Sequence, residues 1–291
     1  MKIAIFGTNF SEQYTKYILH LLKRLEEKNI QIFIYEEFYN FLQNSIELNE
    51  KIIIFNKIDK NDNIDLLFSI GGDGTLLKAI TYVKDSQIPI LGINTGRLGF
   101  ISSVSTDQID IAINYVLKKE FTIRKRTILE LESKNNLFGS SNFALNEVAI
   151  VKKDTSSMIR IDAFVDNEFL NSYWADGLLI STPTGSTGYS LSCGGPIILP
   201  GTENIIISPI APHNLNVRPI IINEDSIIKL KVEDRDQLAL VSLDSRSRAF
   251  ESSLEIIIKK AKFRINLIEL PNNSFIKTIR TKLMWGSDKR N

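Results

Sequence analysis

Leu66-Leu67-Phe68-Ser69-Ile70-Gly71-Gly72-Asp73-Gly74-Thr75-Leu76-Leu77 passes from an apolar run, through three glycines and an aspartate, into a helical pattern. Leu66 to Ile70 is almost wholly apolar, as a strand covered on both faces must be, and Thr75 opens an apolar helical run that continues to Val83. Glycines at this junction admit positive φ and let a ligand approach the main chain, while the unpaired N–H groups of a helix start attract anions. Gly71, Gly72, Gly74 and Thr75 are therefore candidate phosphate contacts. Asp73 opposes that purpose. A carboxylate repels an anionic ligand unless a metal intervenes or the carboxylate accepts a proton from a nucleophile arriving there. The alternative is a turn in which Asp73 merely caps the helix.

Working outward, Lys2 to Phe6 reads as a buried strand, Ser11 to Lys28 as an amphipathic helix and Ile30 to Tyr35 as a strand. Further strands are expected at Lys51 to Phe55, Asp65 to Ile70 and Ile88 to Gly92, the last followed by a second small-residue loop, Asn94-Thr95-Gly96-Arg97-Leu98-Gly99-Phe100. This alternation predicts parallel strands with helices on both faces. Ser105 and Gln108 fit a capping box before a helix over Ile109 to Lys118.

Near Phe121 the pattern changes to period two. Ile159, Ile161, Ala163 and Val165 alternate with polar neighbours, as do Ile228, Leu230 and Val232, and Asp166-Asn167 reads as a hairpin turn. Strands are also expected at Gly177 to Thr182, Leu238 to Leu243, Leu254 to Lys259 and Lys262 to Ile268. After Pro271, Ser274 is placed to cap a final helix through Trp285, with Phe275, Ile276, Ile279 and Leu283 as its apolar stripe. The expected architecture is a Rossmann-like α/β domain over 1–120, an all-β sandwich domain over 121–270, and a C-terminal helix over 271–291 returning to the first domain.

The chain has 291 residues, enough for two cores, and 43% of them are hydrophobic. Its 35 basic and 34 acidic residues leave a formal charge of +1, so no global field steers it to nucleic acid or to an acidic membrane. No run approaches the roughly 18 apolar residues that span a bilayer. The opening Met1 to Phe6 is too short for a signal peptide, and the lone Cys193 has no intrachain disulfide partner. A soluble, cytoplasmic protein is expected.

Two further clusters carry chemistry. Asn146-Glu147 interrupts the apolar run Phe143 to Val151 with adjacent polar residues. If buried, they need partners such as vicinal ribose hydroxyls; otherwise Glu147 meets an arginine or solvent at a strand end. The block Asp176-Gly177-Leu178-Leu179-Ile180-Ser181-Thr182-Pro183-Thr184-Gly185-Ser186-Thr187-Gly188-Tyr189-Ser190-Leu191-Ser192-Cys193-Gly194-Gly195-Pro196 ends a strand in a long polar loop. Its hydroxyls and main-chain N–H groups suit phosphate and sugar oxygens, and Tyr189 offers a flat face for a purine.

With these clusters in this order, together with Ser208-Pro209-Ile210-Ala211-Pro212-His213 leading to Arg218-Pro219, nearly the whole chain resembles the NAD kinases. Those enzymes phosphorylate the adenosine-ribose 2′-hydroxyl of NAD to give NADP. GGDGT alone is shared with phosphofructokinases and lipid kinases; the Thr/Gly/Ser block with its preceding Asn-Glu selects the NAD kinases. The resemblance implies that Asp73 accepts the 2′-hydroxyl proton, with Gly74 and Lys78 nearby in the NAD site. It also implies that Asn146, Glu147 and Asp176 hold riboses, base or nicotinamide amide, and that Thr187, Gly188, Tyr189, Ser190, Leu191 and Ser192 line the adenosine pocket. Ala211 joins the NAD contacts, as do Trp174 and Arg246, which occupy positions where the family varies. Gly188 departs from the family's usual alanine.

The resemblance further implies ATP as phosphoryl donor, with polyphosphate used by some members, a divalent metal cation such as Mg2+ on the donor phosphates, and a homo-oligomer, dimer or tetramer. NAD and ATP are the expected partners, with no nucleic acid and no membrane. No Walker lysine pattern is present, so the metal carries much of the charge neutralisation. The metal ligands are not readable. The rival readings are a lipid kinase, acting on diacylglycerol-like or sphingosine-like acceptors, and a non-catalytic dinucleotide sensor in which Asp73 only binds ribose.

Overall fold

The computed structural model describes residues 1–58, 60–96, 99–102, 104–153, 158–233, 238–271 and 273–286. The chain divides into two compact units, one formed by Met1–Lys125 with Ile265–Asn291 and the other by Arg126–Arg264.

The first unit is built on an eight-stranded sheet. From one edge its strands run Ile53–Phe55, Gln31–Tyr35, Lys2–Gly7, Leu66–Ile70, Ile90–Asn94, Ile265–Glu269 and Thr122–Arg126, with Val104–Ser105 also pairing with Ile90–Asn94. Lys2–Gly7 pairs in parallel with Gln31–Tyr35 on one side and Leu66–Ile70 on the other. The central strands Leu66–Ile70 and Ile90–Asn94 are buried at every residue, which explains their continuous apolar runs. Three helices bury the same spacing of side chains: Ile18, Leu21, Leu22 and Leu25; Leu76, Ala79, Ile80 and Val83; Ile109, Ala112, Ile113 and Val116. That i, i+3, i+4, i+7 stripe lets each helix cover the sheet and keep a polar face outward.

The second unit contains two six-stranded sheets whose pairs are antiparallel. One runs Ile220–Asn223, Asn204–Ile210, Gly177–Ser181, Glu147–Lys152, Leu238–Leu243, Arg246–Glu251; the other runs Glu168–Ala175, Ile159–Val165, Ile228–Glu233, Ile256–Lys260, Leu129–Ser133, Phe143–Ala144. One core holds alternate residues of both sheets, among them Val148, Ile150, Leu178 and Val241 from the first and Leu131, Ile161, Leu230 and Ile256 from the second. On the outer face of the first sheet, Ala149, Leu179 and Ile210 pack with Val151 and Cys193. Asp166 and Asn167 take left-handed φ values of 51° and 69° between two paired strands, the geometry of a two-residue hairpin turn.

Two expectations need correction. The expected sandwich strand over Lys262 to Ile268 forms as Ile265–Glu269 and pairs in parallel with Ile90–Asn94 inside the first unit's sheet, Leu267 facing Ile90. Asn266 gave it the look of a one-sided strand, yet Asn266 is buried and its amide donates to the Gln87 carbonyl at 2.8 Å. The final helix spans Phe275–Lys282, with the Ser274 hydroxyl accepting from the Lys277 N–H, and stops short of Trp285. Met284 turns left-handed at φ 56° and the Trp285 N–H closes back on the Arg280 carbonyl at 3.1 Å. Ile279 is its buried residue; Ile276 is 55% exposed, so the stripe is narrower than its sequence suggests.

Candidate functional site

In the first unit the strand order reverses between Lys2–Gly7 and Leu66–Ile70: the chain builds outward on one side of Lys2–Gly7, then returns to the other. Ligands of open parallel sheets bind beyond the carboxyl ends of the strands at such a reversal. Residues 71–75 lie there. The Thr75 hydroxyl, just past the end of Leu66–Ile70, meets the Thr8 hydroxyl at 2.9 Å, just past the end of Lys2–Gly7.

Asp73 begins the helix Asp73–Val83 but does not cap it; the N-cap is Gly72, which makes no side-chain cap bond. Instead its carboxylate reaches the loop after Ile90–Asn94. Oδ2 accepts from the Phe100 N–H at 2.8 Å, and Oδ1 accepts from Ile101 at 3.2 Å and Ser102 at 2.8 Å. Two carboxylate oxygens offer about four acceptor positions, so among the described residues one position on Oδ2 remains open. Gly99 allows this approach: a Cβ there would lie 1.8 Å from Asp73 Oδ1. The Ser102 hydroxyl donates to the Gly71 carbonyl at 3.1 Å. Arg97 and Leu98 of this loop lie outside the described residues.

The glycines divide by cause. Gly71 is required by the chain itself, because φ is 146° and a Cβ would lie 2.3 Å from Thr75 Oγ1. At Gly72 and Gly74 a Cβ would meet nothing within 4 Å. Both are exposed, and their missing side chains leave the helix N-terminus open to an incoming group. Lys78 is exposed one turn beyond Gly74 on the same face.

In the second unit, residues 145–147 carry the chain from Phe143–Ala144 in one sheet to Glu147–Lys152 in the other. Asn146 is 9% exposed and its Oδ1 is buried with no partner among the described residues, as is Glu147 Oε2. The Glu147 carboxyl is pushed up to about 8, first by burial and then by Asp244, against a Tyr189 N–H bond that lowers it. A Cβ at Gly188 would come within 3.2 Å of Glu147 Oε2 and 3.4 Å of Asn146 Nδ2. Gly188, Tyr189, Asn146 and Glu147 are thus in direct contact.

Asp176 stands at the opposite end of the ladder, where Gly177 faces Val151 while Ser181 faces Glu147. Lys152 Nζ pairs with Asp176 Oδ1 at 2.6 Å. Trp174, 52% exposed, and Ala211, at φ 45°, are neighbours there: the Asp176 N–H donates to the Ile210 carbonyl at 3.0 Å, and the His213 N–H to the Trp174 carbonyl at 2.8 Å. Tyr189 links the two ends, since its raised hydroxyl pKa comes from burial first and then from Cys193, Asp176 and Glu147 together.

The other expected residues separate. Ser190 is fully buried, its hydroxyl 3.5 Å from that of Ser208, and so supports the loop. Thr187 is half-buried and donates to the Thr184 carbonyl at 3.4 Å; Leu191 is half-buried and Ser192 exposed. The Arg246 guanidinium is half-buried and committed to backbone, donating to the carbonyls of Ser141 and Phe143, with burial lowering its pKa. Asp244 went unread in the sequence, as did the N–H groups of 100–102.

Residues 3–121 match the ATP-NAD kinase N-terminal domain family and residues 145–270 the ATP-NAD kinase C-terminal domain family. Over full length of both chains, the sequence is 47% identical to an NAD kinase of Christiangramia forsetii and 44% identical to one of Bacteroides fragilis. This chain belongs to the NAD kinase family. It is a transferase that phosphorylates NAD, with ATP as the family's donor. The fold agrees with that of yeast NADH kinase complexed with NADH at a TM-score of 0.87 and 24% identity, covering 99% of this chain and 89% of the other. An NAD kinase from Archaeoglobus fulgidus in complex with ATP aligns at 0.76 and 26% identity, over 98% and 99%. Among the described residues no helix is long and apolar enough to cross a membrane.

Proposed function

We propose that Asp73 accepts the proton of the adenosine-ribose 2′-hydroxyl as the phosphoryl group of ATP is transferred to it. The observation that carries this reading is the clamped carboxylate: three backbone N–H groups fix Asp73 and, among the described residues, one acceptor position on Oδ2 stays free to orient a hydroxyl. Phosphoryl transfer requires chiefly positioning and charge stabilisation, so a well-oriented carboxylate that takes the proton late is sufficient. Gly72, Gly74 and the helix N-terminus suit donor phosphates, and Lys78 adds positive charge one turn away. Asn146 and Glu147 hold ribose hydroxyls, Asp176 receives base or nicotinamide amide, and Tyr189 lies against the purine.

A divalent cation fits this chain as one carried by the donor. Among the described residues no three His, Cys, Asp or Glu are grouped to hold an ion, and Mg2+ is commonly bound by phosphates with one or two carboxylates. The one open acceptor position of Asp73 is taken by the hydroxyl, so the donor phosphates themselves would hold the cation. When bound, the cation neutralises charge on the transferring phosphoryl group. A single cysteine supports a reducing, cytoplasmic setting, and the family resemblance supports a homo-oligomer.

Incubation with NAD, ATP and Mg2+ is expected to yield NADP, and Asp73→Asn to lower kcat by about 10² to 10⁴ with NAD affinity retained. An unchanged kcat removes Asp73 from the base role. Phosphorylation of diacylglycerol or sphingosine without NADP formation would favour the lipid-kinase reading.

A further inference from the structure

We propose that Asp244 is a positioning residue for NAD, holding residues 145–147 in the shape that aims the Asn146 and Glu147 side chains at the ligand. The inference rests on the reading that Asn146 and Glu147 bind NAD. Asp244 lies in the turn between Leu238–Leu243 and Arg246–Glu251 at φ 53°, and its carboxylate accepts three consecutive N–H groups: Leu145 at 3.0 Å, Asn146 at 2.7 Å and Glu147 at 3.2 Å. In an extended strand successive N–H groups point to opposite sides. Three that converge on one acceptor show that the chain curls here, where it leaves one sheet for the other.

Such a crossing strands backbone polar groups, and each is met. The Asp244 N–H donates to the Glu147 carbonyl at 3.0 Å. Thr182 covers the other carbonyls, its N–H donating to Asn146 at 2.9 Å and its hydroxyl to Leu145 at 2.6 Å. Just upstream, Arg246 holds the carbonyls of Ser141 and Phe143. With the main chain satisfied, the spare hydrogen-bonding capacity of the crossing lies in side chains, at Asn146 Oδ1 and Glu147 Oε2. Buried polar atoms left open in a fully bonded frame mark a place prepared for a ligand's hydroxyls. Burial drives the Asp244 carboxyl above the usual carboxylate range, while the three N–H bonds and Arg246 pull it back toward the charged form. The groups facing Glu147 are Asp244 from the hairpin and Tyr189 and Cys193 from the polar block, while Arg246 acts on Asp244.

Asparagine and glycine both accept the left-handed φ of residue 244, so Asp244→Asn and Asp244→Gly remove acceptors without straining the turn. Both variants are expected to raise KM for NAD, about tenfold for Asn and more for Gly, with kcat within about threefold and KM for ATP unchanged. Losing the neighbouring charge also moves the ionisation seen in the pH profile of KM for NAD to lower pH. A purely structural residue would lower the unfolding temperature without moving that profile. In a Glu147→Ala background, Asp244→Asn is expected to add little to KM, because it acts through Glu147 and its neighbour. Unchanged KM for NAD in a folded variant, or effects of Asp244→Asn and Glu147→Ala that multiply independently, overturns the proposal. If Glu147→Ala and Asn146→Ala themselves leave KM unaltered, the underlying NAD-site reading fails instead.

Discussion

Glu147 combines burial with a raised carboxyl, and its pH behaviour follows from that. Its ionisation moves from 4.5 to about 8 on folding. Between those values the folded chain keeps a proton that the unfolded chain releases, so the stabilisation is complete below 4.5 and is lost as pH rises through 8. The unfolding temperature should therefore fall between pH 6 and pH 9 by more than in Glu147→Gln, a difference equivalent to a few kcal/mol. On the proposal that ribose hydroxyls donate to Glu147, they favour its charged form, and NAD binding at pH 7 should expel about one proton. Titration calorimetry in buffers of different ionisation enthalpy measures this; zero release by the unmutated protein would separate ribose from the Glu147 carboxylate. Asp73 and Glu147 were legible in the sequence because each breaks an apolar or glycine pattern. Asp244 was not, since Leu243-Asp244-Ser245 reads as an ordinary turn and its partner Glu147 lies 97 residues away.

Among the elements, the segment 99–102 matters most, because it converts a mobile aspartate into a fixed one. Gly99→Ala would drive a methyl group into Asp73 Oδ1, 1.8 Å from the added carbon. The loop must then withdraw and release its N–H donors. We expect kcat to fall about 10²-fold, with much smaller change in unfolding temperature than in kcat; a normal kcat would show that the clamp is dispensable. The three long helices were readable from their i, i+3, i+4, i+7 stripes, and the Asp166-Asn167 hairpin from its turn chemistry. The clamp itself left no trace, because backbone N–H groups are the same whatever residue carries them.

For the molecule as a whole, the division into units does not follow sequence order. Ile265–Glu269 is an interior strand between Ile90–Asn94 and Thr122–Arg126. Its near-alternating sequence concealed this, because the buried Asn266 is satisfied by Gln87, a partner no local pattern announces. Removing residues 265–291 should detach Thr122–Arg126 from its sheet and leave buried apolar side chains of Ile90–Asn94 in water. A fragment of residues 1–125 is therefore expected to lack a cooperative unfolding transition, to regain one when residues 265–291 are joined to it through a flexible linker, and to leave residues 126–264 able to fold alone. A cooperative transition in 1–125 by itself would contradict this.

That interior strand also orders events on the ribosome. The residues of the sandwich leave the ribosome ahead of the strand for which the preceding segment still waits. Nascent chains of this protein should consequently mature from the middle outward, and during that interval the first 125 residues are the part that depends on chaperones.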